Sequence, residues 1–288
     1  MIHRERVADD VYVFQSNVYA EVNAGAIIGP EWAVVIDTLP YPNETLAIRE
    51  FIEDELGRPI RYVINTHYHA DHSWGTCFFP EALVIAHNLC SDFLQERGVP
   101  DLKKIQQRDT VFSNTKIVLP HLTLTSGEMT LKVGSKTLRL IELPGHSPDG
   151  IGIYIVEDEV IFAGDLWMPI PHIVDGDPII MRQSLRRLHD LTLENAVQGH
   201  GDVILRGEVD RGIEDRIAYL DLIDEIVEES VEDEFPGEYL KEHTVEVCGK
   251  SRILLGVSAE EVHQQNFRHL YWEKFGEAPR EFDTDTDR

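Results

Sequence analysis

The sequence predicts an α+β fold in which runs of strands and helices alternate along the chain. Short apolar segments, many of them alternating with polar residues, recur over residues 11–36 and 116–165 and are typical of successive antiparallel strands. Apolar residues at helical spacing follow each run, and an acidic amphipathic segment fills residues 210–234. The chain has 288 residues and 42% hydrophobic side chains, which is enough to bury a sizeable core.

The individual elements follow from local patterns of apolar residues and turn signals. Strands are predicted at residues 11–14, 24–29, 32–36, 60–64, 82–86, 122–124, 129–133, 138–143, 152–156, 160–165 and 196–197. Helices are predicted at residues 43–56, 73–79, 88–109, 181–191, 210–234 and 259–275. The polar tail at residues 279–288 is expected to fray.

A change in composition after residue 206 predicts two parts. Residues 1–206 carry the predicted strands and are expected to form the domain that holds the functional site. Residues 207–288 are expected to form an acidic helical extension that packs on this domain. Its long helix is expected either to close over the site or to form the contact of a homodimer.

The charge of the chain argues against nucleic acid and anionic membranes as partners. Lys and Arg number 26 against 52 Asp and Glu, a formal net charge of −26, and nucleic-acid affinity comes largely from cationic side chains. We therefore expect a small-molecule substrate. The sequence contains no apolar run of about 20 residues and begins without an apolar signal segment. Its three cysteines, Cys77, Cys90 and Cys248, are odd in number and far apart, so a reducing, cytoplasmic location is expected.

A histidine-rich motif directly follows the strand predicted at residues 60–64. Three imidazoles and one carboxylate lie within six residues, at His67, His69, Asp71 and His72. Neutral imidazole and carboxylate are ligand types that zinc and similar divalent metals prefer. In an extended turn His67 and His69 point the same way and can reach one ion, whereas Asp71 and His72 follow where the chain bends and can serve a second.

Three further candidate ligands each follow a predicted strand and stand beside glycine. They are His146 after Gly145, Asp165 after Gly164, and His200 between Gly199 and Gly201. Glycine allows a sharp turn and a close approach of the ligand side chain. Such loops are expected to cluster at one edge of the sheets. With the first motif they supply seven donors, which is enough for two metal ions.

The ordered set of these motifs resembles the metallo-β-lactamase superfamily over roughly residues 10–205. The resemblance implies a four-layer αββα sandwich with the site at the sheet edges, followed here by a helical C-terminal extension. It also implies the ligands: His67, His69 and His146 for one ion, Asp71, His72 and His200 for the other, and Asp165 bridging both. Asp37, at the end of the strand predicted at residues 32–36, matches a supporting acidic position.

Such a centre favours hydrolysis. A divalent cation lowers the pKa of bound water from ~15.7 to about 7, so that hydroxide is available at neutral pH. Held between two ions, this hydroxide can attack the carbonyl of an ester, thioester, lactone or lactam. Asp71 is the catalytic candidate, because it is placed to orient the nucleophile and pass on a proton. Two zinc ions are the expected cofactors, with iron or manganese as alternatives.

Three other functions stay open at this point. An aspartate at position 165 is typical of glyoxalase II and lactonases, but also of phosphodiesterases and of persulfide dioxygenases that use a single iron. A non-catalytic metal-binding protein is the least favoured alternative, because it predicts missing ligands and all seven are present.

The substrate pocket is predicted from residues near these motifs. Trp74 and Trp167 are expected at its rim, although both are also typical of core residues. Tyr41, His172 and Arg182 are the polar candidates for orienting a substrate.

Overall fold

The computed structural model describes residues 2–280 and 282, and its strands form two sheets. The strands are β1 His3–Ala8, β2 Val11–Gln15, β3 Asn23–Ile28, β4 Ala33–Ile36, β5 Ile60–Ile64, β6 Leu83–His87, β7 Leu122–Leu124, β8 Glu128–Val133, β9 Lys136–Glu142, β10 Ile151–Ile155, β11 Val160–Gly164, β12 Asn195–Gln198 and β13 Ile204–Leu205. The helices are α1 Pro42–Glu50, α2 Ala70–Ser73, α3 Asn88–Phe93, α4 Val99–Arg108, α5 Pro178–Arg187, α6 Val209–Ser230, α7 Pro236–Glu242 and α8 Ala259–Phe275. Residue 281 and residues 283–288 of the predicted tail and extension lie outside the described residues.

The first sheet contains β1 to β7 in chain order. Strands β1 to β4 pair antiparallel, whereas β4, β5, β6 and β7 pair parallel. Parallel neighbours need a crossover, which α1 supplies between β4 and β5, and α3 and α4 supply between β6 and β7. The carboxyl ends of β4 and β5 therefore meet at one edge of the sheet, where Asp37 and the histidine motif follow.

The second sheet has the order β13-β12-β11-β10-β9-β8. Its pairs are antiparallel except β11 and β12, which are parallel and joined through α5. The carboxyl ends of β11 and β12 lead into Asp165 and His200, so these two side chains start from the same sheet edge. A bridge between Val22 and His200 joins that edge to the first sheet.

Two sheets face each other across an apolar core, and helices cover their outer faces. The inner core includes Val13 and Ile36 from the first sheet, and Leu140 and Phe162 from the second. Helix α1 packs on the outer face of the first sheet, while α5, α6 and α8 pack on that of the second. The fold is therefore the predicted αββα sandwich with helices at the C-terminal end.

The C-terminal helices share a continuous core with the second sheet. Phe267 of α8 and Leu220 of α6 belong to the same buried cluster as Ile161 of β11. The amide of Asn266 in α8 donates to the carbonyl of Pro171 at 2.6 Å and accepts from the backbone N–H of Ile173 at 3.1 Å. These contacts tie α8 to the loop after β11. The division of the chain at residue 206 stays a prediction.

The sequence-based assignment missed three elements. Strand β1 is a polar edge strand with mostly exposed side chains, so no apolar alternation marks it. Strand β13 has two residues and α7 has seven, which is too short for a periodic signal. Within the described residues, no helix combines the length and the apolar character needed to cross a bilayer.

Gly25 of β3 faces Phe162 of β11 across the core between the two sheets. A Cβ atom on Gly25 would lie 2.2 Å from Cε1 of Phe162. We predict that Gly25→Ala lowers the free energy of unfolding by about 1–3 kcal/mol, because the added methyl must displace the ring. Urea denaturation measures the change. Gly207→Ala is the control, since a Cβ there meets nothing within 4 Å, and equal stability of the two variants would contradict this account.

Candidate metal centre

The structure brings the seven predicted ligands together at one edge of the two sheets. They form two groups, each with donor atoms within 4.8 Å of one another: His67, His69, His146 and Asp165 in one, and Asp71, His72 and His200 in the other. The first motif spans the turn after β5 and helix α2, and the other ligands follow β9, β11 and β12. The three cysteines lie in neither group.

In the first group three imidazole nitrogens point at one another. Nε2 of His67 lies 3.0 Å from Nδ1 of His69, which lies 2.9 Å from Nε2 of His146. Oδ2 of Asp165 is 3.4 Å from Nε2 of His146 and 3.8 Å from Nε2 of His67. The four donor atoms thus surround a common point.

The opposite nitrogen of each of these rings has a partner outside the centre. Nδ1 of His146 donates to the carbonyl of His172 at 2.7 Å. Nδ1 of His67 lies 3.1 Å from Oγ1 of Thr66. Because the Thr66 hydroxyl donates its own proton to Asp37, Nδ1 of His67 must be the donor in this hydrogen bond. These partners place the ring protons on the outer nitrogens and leave lone pairs on the inner ones.

This arrangement fits a metal ion. Inner lone pairs at 2.9–3.0 Å repel one another unless a cation lies between them. A divalent cation removes this repulsion and is the kind of group for which neutral imidazoles and a carboxylate are suited. The donor set of His67, His69, His146 and Asp165 therefore fits one ion.

In the second group, too, the outer nitrogen of each ring has a partner outside the centre. Nδ1 of His72 donates to Oδ2 of Asp37 at 2.9 Å, and Nδ1 of His200 donates to the carbonyl of Ala20 at 2.8 Å. Their inner Nε2 atoms face carboxylates: His72 lies 3.1 Å from Oδ1 of Asp165, and His200 lies 3.3 Å from Oδ2 of Asp71. Among the described residues, Nε2 of His72 and Oδ1 of Asp165 are buried without a hydrogen-bond partner. Asp165 faces both groups, as a bridging ligand must.

The two groups differ in how they hold protons. Burial lowers the pKa of His67 and lowers that of His146 to about 3, so both rings are neutral at physiological pH. Burial also opposes charge on His72 and His200, but the carboxylates Asp165 and Asp71 outweigh it. They raise the pKa of His72 and raise that of His200 to about 10. Protons therefore compete with a metal ion for these two rings.

Glycines permit the close approach of Asp165. Gly164 has a φ of +53°, a left-handed conformation that side chains rarely adopt, and it turns the chain directly before Asp165. A Cβ atom on Gly199 would lie 1.7 Å from Oδ1 of Asp165. The glycines noted in the sequence thus provide space for the carboxylate.

Asp37 connects the ligands to the first sheet. Its Oδ1 accepts the backbone N–H of Thr66 at 2.8 Å, and its Oδ2 accepts the Thr66 hydroxyl at 2.7 Å and Nδ1 of His72 at 2.9 Å. Asp37 itself has a φ of +53°, which is strained for a non-glycine residue. Burial raises the pKa of this carboxyl, whereas His72 and Thr66 act in the opposite direction.

A second supporting carboxylate, Asp175, was not found from the sequence. Its Oδ2 lies 3.4 Å from Nε2 of His69 and accepts the hydroxyl of Tyr68, while its Oδ1 accepts from Arg97. Arg97 also donates to the Tyr68 hydroxyl at 3.0 Å. Asp175 lies in the loop before α5 and Arg97 between α3 and α4, so no local pattern links either to His69.

An apolar cleft of about 320 Å³ leads away from Asp71. Its lining includes the predicted residues Tyr41 and Trp74, together with Phe112, whose ring centroid lies 5.3 Å from that of Trp74. Tyr19 also lines it and was missed, because it stands in a turn without any motif. The charge of Asp71, then burial and Asp165, raise the pKa of the Tyr19 hydroxyl, which therefore stays protonated.

Three other pocket predictions have different outcomes. Trp167 is fully buried beneath α6, with the guanidinium of Arg216 5.1 Å from its ring centroid, so its placement at the rim was wrong. The prediction that Arg182 orients a substrate was also wrong, because this residue is 9% exposed and its side chain pairs with Asp221 of α6 at 2.6 Å. In both cases the C-terminal helices cover the residue. His172 lies beside His146, with ring centroids 5.6 Å apart, and its role toward a substrate stays a prediction.

We predict that zinc binding to the second group strengthens as pH rises toward 10. Each proton displaced from His200 or His72 adds about tenfold in affinity per pH unit, because the metal needs the neutral ring. Titration of chelator-stripped protein with zinc at several pH values, against a competing chelator, measures this slope. A zinc affinity that does not vary with pH would contradict the assignment of His72 and His200 as ligands.

Asp175→Asn is expected to weaken zinc binding at the first group by about 10- to 100-fold, because Nε2 of His69 loses its carboxylate partner. Chelator competition measures the affinity, and thermal unfolding shows whether the fold is kept. Asp92→Asn is the control, since Asp92 is exposed on α3. Equal zinc affinity in the two variants would show that Asp175 does not support His69.

The fold is shared with solved structures of low sequence identity. A metallo-beta-lactamase from Pontibacter korlensis superimposes with a TM-score of 0.62 at 17% identity, over 74% of this chain and 98% of the other. The sec-alkylsulfatase Pisa1 from Pseudomonas sp. superimposes with a TM-score of 0.71 at 15% identity, over 96% of this chain and 50% of the other.

Sequence comparison finds relatives in animals. The human "Acyl-coenzyme A thioesterase MBLAC2" is 28% identical over 199 residues, which cover 59% of this chain and 70% of that protein. The "Beta-lactamase-like protein 2 homolog" of Caenorhabditis elegans is 25% identical over 187 residues, covering 64% of this chain and 58% of that protein, less than two thirds of its length. The family model described as "Metallo-beta-lactamase superfamily" matches residues 20–237. The chain therefore belongs to the metallo-β-lactamase superfamily.

Proposed function

We propose that the protein is a metal-dependent hydrolase of thioesters. The observation that carries this proposal is the position of two adjoining donor groups at the inner end of an apolar cleft. Asp71 belongs to one of these groups and also lines the cleft. A reactive centre beside an apolar channel suits a substrate with a carbonyl and a hydrophobic arm. Among the carbonyl substrates considered from the sequence, a thioester is favoured by the relatives.

The names of several relatives support this choice. The human and bovine proteins that match this chain at 28% and 27% identity are named acyl-coenzyme A thioesterases. A further relative from Emericella nidulans, 26% identical over 60% of this chain and 43% of its own length, is named "Thioesterase pkgB".

Two zinc ions are the proposed cofactors. Each donor group offers at least three nitrogen or oxygen ligands, and Asp165 adjoins both, which favours two ions over one. Imidazole with carboxylate and without thiolate suits zinc, and also iron or manganese. When bound, such ions would lower the pKa of water and polarise the substrate carbonyl.

The side chains around the centre supply the remaining functions. Asp71 is ionised, because His72 and His200 lower its pKa against the effect of burial, so its carboxylate can accept a proton from the attacking water. The protonated hydroxyl of Tyr19 can donate to the oxygen of the carbonyl. Water adds to the carbonyl carbon, the carbon–sulfur bond breaks, and the sulfur leaves and takes up a proton.

We expect His67→Ala to reduce hydrolysis of a medium-chain acyl-coenzyme A by at least about 100-fold, because the first ion loses a ligand. Thiol release measured with a chromogenic reagent, beside quantification of bound metal, checks both effects. His189→Ala is the matched control, since this histidine is exposed and contacts Asp210 and Glu214 on α6.

Two results would contradict the proposal. The first is purified wild-type protein that holds only trace metal and cannot be reconstituted with zinc. The second is unchanged thioester hydrolysis in His67→Ala. Oxygen consumption with a thiol persulfide, or hydrolysis of a phosphodiester in place of the thioester, would instead favour one of the alternatives considered from the sequence.

A further inference from the structure

The outer part of the cleft is formed by one face of α4. Asp101, Lys104, Ile105 and Arg108 line it, and their spacing of three or four residues places them on the same side of the helix. Lys104 and Arg108 are exposed, whereas Asp71 at the inner end is largely buried. The cleft thus runs from the metal centre to a rim that carries cationic side chains.

The rim carries the cations Lys104 and Arg108 and the anion Asp101, and the segment around it is basic in a strongly acidic protein. Residues 97–116 contain five Lys or Arg and two Asp or Glu, in a chain whose formal net charge is −26. The excess of cationic side chains in this segment is therefore opposite in sign to the charge of the chain as a whole. Its position beside the cleft makes it complementary to an anion that enters there.

The two cations at the rim differ in availability. Nζ of Lys104 is 2.9 Å from Oδ1 of Asp101, so part of its charge is neutralised within the helix. Arg108 forms no ion pair with any of the residues that the structure describes. Its guanidinium can therefore bind a carboxylate or phosphate, for which its planar donors are suited.

The wall between the rim and the centre is apolar and aromatic. Trp74 and Phe112 are buried with Leu102 in one cluster, and Tyr41 packs against Phe112 with centroids 5.4 Å apart. Such walls favour a hydrocarbon segment over a charged one. An occupant that follows the cleft must be uncharged along this segment and can be charged only beyond it.

We propose that this cleft binds a substrate arm that is uncharged next to the scissile carbonyl group and anionic at its far end, with Arg108 contacting the anion. The proposal rests on the thioesterase function above. The anion can belong to either side of the thioester: a carboxylate at the far end of the acyl chain, or a phosphate on the thiol.

Three thioesters separate these sources. Hexanoyl-pantetheine is uncharged, adipoyl-pantetheine carries a carboxylate at the end of an acyl chain of the same length, and hexanoyl-coenzyme A carries phosphates on the thiol. With zinc-loaded full-length protein, we expect one of the two anionic compounds to have a kcat/KM about fivefold above that of hexanoyl-pantetheine, through a lower KM. This is the size expected for one exposed ion pair.

Variants of the rim connect that preference to Arg108. Arg108→Gln is expected to lower kcat/KM for the preferred anionic substrate about fivefold and to leave hexanoyl-pantetheine unchanged, with Arg108→Lys partly restoring it. Asp101→Asn should have the opposite effect, since it frees Lys104. Arg206→Gln is the matched control, because this exposed arginine pairs with Glu194 beside β13, away from the cleft. At about 1 M salt, where screening acts within about 3 Å, the preference should disappear.

Equal kcat/KM for the three substrates, or an equal effect of Arg108→Gln on all of them, would overturn this proposal while the thioesterase function stands. If none of the three is hydrolysed, the proposed function fails instead. Calorimetry with the same compounds and the same zinc-loaded protein then tests the proposed role of the cleft. Tighter binding of an anionic compound that depends on Arg108 supports the proposal, and equal binding of the three compounds overturns it.

Discussion

Repulsion among the inner nitrogens of the first donor group is the constraint on which the rest of the site depends. Inner nitrogens of His67, His69 and His146 approach to 2.9–3.0 Å, and Asp165 brings a carboxylate against both groups. The outer nitrogens of these three rings have partners that fix their orientation. Each ring is therefore held from behind, as His200 is by the carbonyl of Ala20. The same hydrogen bonds leave the inner nitrogens ready for a metal.

The scaffold that holds these atoms combines both sheets and the helices around them. Asp37, after β4, binds His72 of α2 and Thr66 after β5, so three segments are joined at one buried carboxylate. The second sheet contributes Asp165 at the end of β11, and the loop that follows packs under α6 and α8 through Trp167. Hence the C-terminal helices cover the loop that follows Asp165.

The segment between β6 and β7 contributes to the site in two places. At its middle, Arg97 fixes Asp175, which faces the outer nitrogen of His69. Farther along, the face of α4 that ends at Arg108 forms the outer wall of the cleft. A single helical segment thereby holds Asp175, the partner of His69, and lines the cleft.

The sequence by itself determined the types of the candidate donor side chains, their order and the strands that they follow, because each motif is local: an apolar strand, a turn and a donor within a few residues. The α+β class followed from the same periodicity, and the αββα sandwich from the resemblance to the superfamily. Only the tertiary structure decided which side chains face the centre and which are covered. Asp175 and Tyr19 reach it from turns without a pattern, whereas Trp167 and Arg182, which stand near ligands or in a neighbouring helix, are covered by α6. Contacts between residues far apart in sequence determine burial, and no local spacing encodes them.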